Sequence, residues 1–199
     1  MYCYLKRAID FVLALVGCIV LSPFFLLLFL LIKLDSKGPI FFKQKRVGKG
    51  KSHFMILKFR TMKVDTPKDC PTHLLENPDQ YITRMGKFMR KTSLDELPQI
   101  YNILVGQMSI IGPRPALWNQ FDLIAERDKY GANDVMPGLT GWAQINGRDE
   151  LPIDVKAKLD GEYVEKMSFL FDCKCFLKTI TSVLKHDGVV EGGTGSLKK

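Results

Sequence analysis

Residues 11 to 32, FVLALVGCIVLSPFFLLLFLLI, carry no charge, and at helical rise they reach roughly 33 Å, enough for the hydrocarbon core of a bilayer. No other stretch narrows the choice of fold so far, because a segment in lipid must satisfy its backbone internally and so must be helical. A cleaved signal peptide is the competing reading. The run is too long for a signal's apolar region, and no small-residue cleavage pattern follows it. The segment therefore reads as permanent.

Ser22 and Pro23 sit in the middle of the run. Proline removes one helical hydrogen bond and obstructs the preceding turn, so a bend is expected there. Two topologies follow: a kinked helix that spans the bilayer, or a helix-break-helix that dips in and returns to the same face. Lys6 and Arg7 precede the run, and Lys33 and Lys37 follow it. Positive charge at both ends favours both ends on the cytoplasmic side, which favours the re-entrant form. Backbone groups freed at the bend would need partners such as the Ser22 hydroxyl.

Beyond the apolar run, residues 33 to 63 hold ten Lys or Arg against one acid, Asp35. Such a patch attracts phosphates, whether of lipid headgroups, nucleotides or nucleic acid, and a solvated basic face beside a membrane explains it equally well. Five cysteines, Cys3, Cys18, Cys70, Cys173 and Cys175, give neither a disulfide framework nor a metal-like pairing.

Residues 39 to 60 read as two strands around Gly48-Lys49-Gly50, a β-hairpin. Residues 64 to 80 carry three prolines and read as an exposed connection. A helix is expected from Tyr81, with Arg84, Lys87 and Lys91 on one side, and a second from near Asp95. IIGPRPA (Ile110 to Ala116) and PGLTGWAQINGR (Pro137 to Arg148) are loop-like. Residues 169 to 184 put Phe169, Leu170, Cys173, Phe176, Leu177, Ile180, Val183 and Leu184 on one helical face, opposite Lys174, Lys178 and Lys185. That face suits either the core or a membrane surface. The tail from Gly188 reads as disordered.

Ser93-Leu94-Asp95-Glu96 matches a capping box with Ser93 as N-cap and Glu96 at N3. Pro98 fits that frame poorly; with Asp95 as N-cap it falls at N3, where its missing N–H costs nothing. The functional alternative places a divalent cation such as Mg²⁺ between Asp95 and Glu96 and a phosphorylated substrate, so that one carboxylate attacks phosphorus. Arg84, Arg90 and Lys91 are then placed to hold phosphate oxygens. Arg114, restricted between Pro113 and Pro115, presents a guanidinium for a bidentate phosphate contact or is simply an exposed arginine on a rigid turn. Trp142, Gln144, Asn146 and Arg148 suit a polar ligand or a hydrogen-bonded turn. VGKGKS is not a P-loop, because Lys45 stands where that pattern requires glycine. His53, His73 and His186 have no zinc-like spacing.

Taken together, Ser22-Pro23 in its apolar hairpin, KFRTM (Lys58 to Met62), SLDELPQ (Ser93 to Gln99), GPRP (Gly112 to Pro115) and GLTGWAQINGR (Gly138 to Arg148) strongly resemble the bacterial sugar transferase family, the monotopic phosphoglycosyl transferases. The likeness runs in order from about residue 4 to residue 185 and matches the minimal, catalytic-domain form. It implies transfer of a sugar 1-phosphate from a UDP-sugar to undecaprenyl phosphate with release of UMP, the first membrane step of glycan or glycoprotein assembly. By matching position, Asp95 would be the nucleophile that carries a covalent phosphosugar, and Glu96 would help to hold Mg²⁺. Arg114 would bind phosphate, with Lys58, Arg60, Arg90, Gln144, Asn146 and Arg148 as further substrate contacts.

The expected architecture is α+β, mainly helical with a small antiparallel hairpin and monotopic in the membrane. Residues 1–35 would form the re-entrant helix-break-helix, residues 36–187 a catalytic domain with membrane-surface helices on the cytoplasmic face of the bacterial inner membrane, and residues 188–199 a disordered tail. Gly161 argues against a helix over KLDGEYVEKMSF, at a cost of about 1 kcal/mol. The expected partners are a UDP-sugar, undecaprenyl phosphate, membrane lipids and downstream glycosyltransferases, with no nucleic acid. The rival is a non-enzymatic anchor whose basic domain binds anionic lipid or nucleic acid.

Overall fold

The computed structural model describes residues 2–66, 78–147 and 151–185. Most of the connection expected over 64 to 80, together with Arg148, His73, Cys70, His186 and the tail from Gly188, lies outside them.

The apolar run lies in one helix, α1 (Tyr2–Asp35), which contains Pro23. The expected break is not an interruption, because the helix continues through Ser22-Pro23. Proline at position 23 deprives the Ile19 carbonyl of its usual donor, and the Ser22 hydroxyl donates to that same carbonyl at 2.8 Å. The acceptor is satisfied, so the helix persists. This is the one helix among the described residues that is long and apolar enough to cross a membrane.

Both ends of α1 are tied to the folded body. Near its start, Lys6 pairs with Asp172 at 2.6 Å. Arg7 donates to the Ile103 and Leu104 carbonyls, and Asp10 accepts from the Ser109 hydroxyl and the Ile110 N–H. Near its end, Leu28 and Ile32 are buried with Phe59 and Met89, and Asp35 accepts from the Met85 N–H at 3.0 Å. Between these anchors, Leu13, Val16, Ile19, Val20, Leu26, Leu27 and Leu30 are exposed.

The expected hairpin is present as antiparallel β1 (Phe41–Val47) and β2 (His53–Phe59). Strand alternation puts Phe54, Ile56 and Lys58 on one face of β2. Phe54 and Ile56 pack with Ala14, Ile103 and Met108, which leaves Lys58 at the end of the same row. Helix α2 (Arg84–Lys91) begins three residues later than expected, where the Thr83 hydroxyl accepts from the Gly86 N–H.

A 3-10 turn over Leu94–Glu96 leads into α3 (Gln99–Leu104). On α3, Asn102 covers the outer edge of β2, accepting from the Leu57 N–H and donating to the Met55 carbonyl, both at 2.9 Å. An edge strand that lacks a neighbour is thereby closed, and α3 is fixed along it.

The two segments read as loops contain short elements instead. Strand β3 (Ser109–Ile111) pairs in parallel with β4 (Gly138–Thr140), and α5 (Trp142–Ile145) follows directly. Helix α4 (Phe121–Asp128) packs on α6 (Ile153–Lys166). Gly161 does not break α6. It lets α6 approach Tyr130 so closely that a Cβ there would lie 2.6 Å from the Tyr130 Cβ, so the residue that lowers helix propensity is the one the packing needs. In α7 (Phe169–Lys185), Asp172 and Cys175 are buried while Phe169, Leu170, Phe176, Leu177 and Ile180 are exposed. Lys174 and Lys178 lie over the Trp142 ring at 5.3 and 5.1 Å. Thus Lys174 and Lys178, though exposed, lean back over Trp142, while Phe169, Leu170, Phe176, Leu177 and Ile180 point outward. Among the described residues of that apolar face, core burial, the first alternative for this helix, does not occur.

Candidate active site

Asp95 and Glu96 are held by a turn whose shape follows from Pro98. With no N–H at residue 98, an α-helical bond back to the Leu94 carbonyl is impossible; the Leu97 N–H takes that carbonyl instead, at 3.3 Å. A 3-10 turn results, and the α-helix starts only beyond the proline. The capping box is not formed. Ser93 adopts a left-handed backbone (φ 56°, ψ 17°) and its side chain makes no capping bond. The Glu96 carboxylate has other partners.

Those partners come from two distant segments. Lys58 Nζ reaches Glu96 Oε1 at 2.7 Å, and Arg114 Nη2 reaches the same oxygen at 2.5 Å. Arg114 Nη1 lies 3.3 Å from Oε2. Burial alone would raise the Glu96 carboxyl, but the Arg114 and Lys58 charges and hydrogen bonds outweigh it and hold the group well below the usual carboxylate range. Glu96 is fixed in place and ionised.

Asp95 is its opposite. Burial above all, with the neighbouring Glu96 charge, pushes its carboxyl up to about 6 against the pull of Lys58, Arg90 and Arg114. One carboxylate is therefore held ionised by two cations and the other is raised toward neutrality. Adjacent acids whose environments push them apart in this way are a pattern that active sites share.

The remaining expected residues divide. Arg90 lies within electrostatic reach of Asp95 and donates from Nε to the Thr61 hydroxyl at 3.0 Å. Arg60 does not join the cluster. It is buried and donates to the carbonyls of Ser36 and Lys37, where it fastens the exit of α1. Gln144 is buried beneath the turn that leads to Arg114: a Cβ on Gly141 would meet the Gly112 carbonyl at 2.0 Å and the Gln144 Oε1 at 2.9 Å. Neither amide atom of Gln144 has a partner among the described residues. Asn146 is exposed and donates to the Trp142 carbonyl at 2.7 Å, closing α5.

Two buried polar residues near the site in chain or space lie outside the expected set. Gln99, fully buried one helical turn beyond Asp95, has neither amide atom partnered among the described residues. Arg127 donates to the Arg114 carbonyl from behind. Nothing in the residues flanking Arg127 signals this contact.

Among the described residues, no three His, Cys, Asp or Glu side chains gather as a metal cage. Mg²⁺ does not require one, since it keeps waters and is commonly held by one or two carboxylates plus substrate phosphates. The adjacent carboxylates of Asp95 and Glu96, with Glu96 Oε2 held only at 3.3 Å, offer a donor pair of that kind.

The family model described as bacterial sugar transferase matches residues 1–186. The chain is 39% identical over 186 residues to the uncharacterized sugar transferase EpsL of Bacillus subtilis (strain 168), covering 93% of this chain and 90% of that protein. It is 39% identical over 189 residues to the UDP-glucose:undecaprenyl-phosphate glucose-1-phosphate transferase of Escherichia coli (strain K12), and 37% over 193 residues to the UDP-N-acetylgalactosamine-undecaprenyl-phosphate N-acetylgalactosaminephosphotransferase of Aeromonas hydrophila. Those two alignments cover 88% and 94% of this chain but only 39% and 45% of the relatives. With that model matching residues 1–186 and a relative of nearly equal length 39% identical, the chain belongs to the bacterial sugar transferase family.

Proposed function

We propose that the protein transfers a sugar 1-phosphate from a UDP-sugar to undecaprenyl phosphate, releasing UMP, in two steps through Asp95. In the first, an Asp95 carboxylate oxygen attacks the sugar-bearing phosphorus. A P–O bond forms, the bond to the bridging oxygen breaks, and UMP leaves with that electron pair. In the second, an oxygen of undecaprenyl phosphate attacks the same phosphorus and the acyl phosphate bond breaks. Asp95 is regenerated and the product is the lipid diphosphate sugar.

The contrast between the two carboxylates carries this reading. Lys58 and Arg114 hold Glu96 ionised, so it keeps a fixed negative charge beside Asp95, and burial with that charge makes Asp95 the more basic of the two acids. Arg114 and Arg90 supply the positive charge that a transferring phosphoryl group requires. Mg²⁺ bound by Asp95, Glu96 and the diphosphate would neutralise substrate charge.

The body is read as lying on the cytoplasmic face of the inner membrane with α1 re-entrant. Support comes from the ties at both ends of α1 to one body and from the outward apolar side chains of α7.

The test is UMP release from a panel of UDP-sugars by detergent-solubilised protein with Mg²⁺ and undecaprenyl phosphate. Wild type should show lipid-dependent release, Asp95→Asn and Glu96→Gln none, and single-substrate incubation should leave a phosphosugar on Asp95. Folded wild-type protein that releases no UMP with any sugar would return the acids to a structural role and favour the anchor.

A further inference from the structure

The turn Pro113-Arg114-Pro115 carries two prolines and therefore lacks two N–H groups that would otherwise help to fix it. Its position rests on its carbonyls, and each of the four from Pro113 to Ala116 is taken by a specific donor. The Gly138 N–H holds Pro113 at 2.9 Å and the Val47 N–H holds Ala116 at 2.9 Å. A guanidinium takes each of the middle pair: Arg46 Nη1 donates to Pro115 at 3.1 Å and Arg127 Nη1 to Arg114 at 2.9 Å.

Arg127 is not a casual donor. It projects from α4 and is almost fully buried, and its Nε and Nη2 both bond Asp160 Oδ2 on α6, at 2.8 and 2.5 Å. Asp160 is completely buried, and its Oδ1 has no partner among the described residues. Dry ion pairs are a poor source of stability, since apolar side chains of similar volume often serve as well or better. This pair does provide orientation: two bonds to one carboxylate oxygen fix the guanidinium plane and aim the remaining nitrogen at the backbone of Arg114.

We propose that Arg127, oriented by Asp160, is a positioning residue that sets the height and direction of Arg114 toward Glu96 and the substrate phosphate. It acts only through the Arg114 backbone. The proposal rests on the reading of Arg114 as a substrate-phosphate contact, and its test includes an arm that needs no turnover.

The first arm is a double-mutant cycle. Arg127→Met with Asp160→Leu removes both charges together, so no buried partner is orphaned, and the thermal midpoint should stay close to wild type. UMP release should fall about 10- to 100-fold in kcat, as for a misplacement of about 1 Å, with KM little changed. In an Arg114→Met background the same pair of changes should cost less than about twofold, because the group being positioned is gone. Equal losses in both backgrounds, or no loss in either, would overturn the proposal. If that double variant does not fold, Arg127→Lys, which keeps the charge but not the fixed plane, takes its place in the same cycle with the same expected pattern.

The second arm follows the Arg114 side chain in ¹⁵N-arginine-labelled protein, its Nε–H signal assigned by its loss in Arg114→Met. The signal should shift or broaden in the folded clamp variant; an unchanged signal would refute the clamp. Wild type that releases no UMP would defeat the activity reading alone, and the NMR arm would still decide this one.

Discussion

At the scale of single residues, burial of Asp95 sets reactivity against stability. A carboxyl raised to about 6 is ionised at neutral pH, but folding then carries the charge into a site that disfavours it. The unfolded value is lower, so the cost is fully present above about pH 6 and vanishes below the unfolded value. Asp95→Asn should therefore raise the thermal midpoint of chelator-treated protein at pH 7.5, by at most about 3 kcal/mol of stability, and the gain should shrink at pH 4.5. Thermal melts at the two pH values check this, and a variant that melts below wild type at pH 7.5 would contradict it. Lys58 holds Asp95 down, so Lys58→Met should move the acid limb of UMP release to higher pH than in wild type, which a pH–rate profile reads. SLDELPQ singled out the two acids, and only the family resemblance gave them different roles. Their unequal environments were not legible locally, because the cations that hold Glu96 stand 38 and 18 residues away along the chain and no local pattern connects them. The capping box matched the local pattern apart from Pro98, and it failed because that proline imposes a 3-10 turn with Ser93 left-handed while the two cations claim Glu96.

At the scale of elements, legibility followed length and period. The hairpin and α7 carry sustained patterns and formed where expected. Strands β3 and β4, three residues each, are too short to show alternation, and only tertiary pairing reveals them. The orientation of α7 was undecidable from its amphipathic pattern, since an apolar face suits a core and a membrane alike. Its outcome follows from Asp172, whose partners Lys6 and Tyr163 pull the polar side inward. Gly161 was misjudged for a related reason: propensity counts the cost of glycine within its own helix and ignores the neighbouring Tyr130. Gly161→Val should lower the thermal midpoint, with overpacking of about 1–3 kcal/mol outweighing the gain of up to about 1 kcal/mol in helix propensity. Circular dichroism melts measure the balance, and an unchanged or higher midpoint would mean that the contact of α6 with Tyr130 yields easily.

At the scale of the whole molecule, the course of α1 bears on how the proposed enzyme would meet a lipid substrate. A straight helix from Lys6 to Asp35 would span about 44 Å, and a trans-bilayer course would carry one end away from the body. Yet Lys6, Arg7 and Asp10 at one end and Asp35 at the other all bond to the same folded unit. Those contacts fit best if the exposed apolar side chains between them enter one leaflet and both ends return to one face. On the proposed activity such a placement would serve substrate delivery, because the phosphate of undecaprenyl phosphate would lie at the headgroup level, within reach of a site resting on the surface. Single-cysteine labelling tests the topology directly. Cys3 is exposed and serves as one probe, with the other four cysteines changed to serine. Exposed Lys37, changed to cysteine in a background also lacking Cys3, serves as the other. A membrane-impermeant maleimide should modify both in inverted vesicles and neither in intact spheroplasts. Modification of Cys3 from the outside and of position 37 from the inside would establish a spanning helix, and the contacts at one end of α1 would then have to break in the membrane.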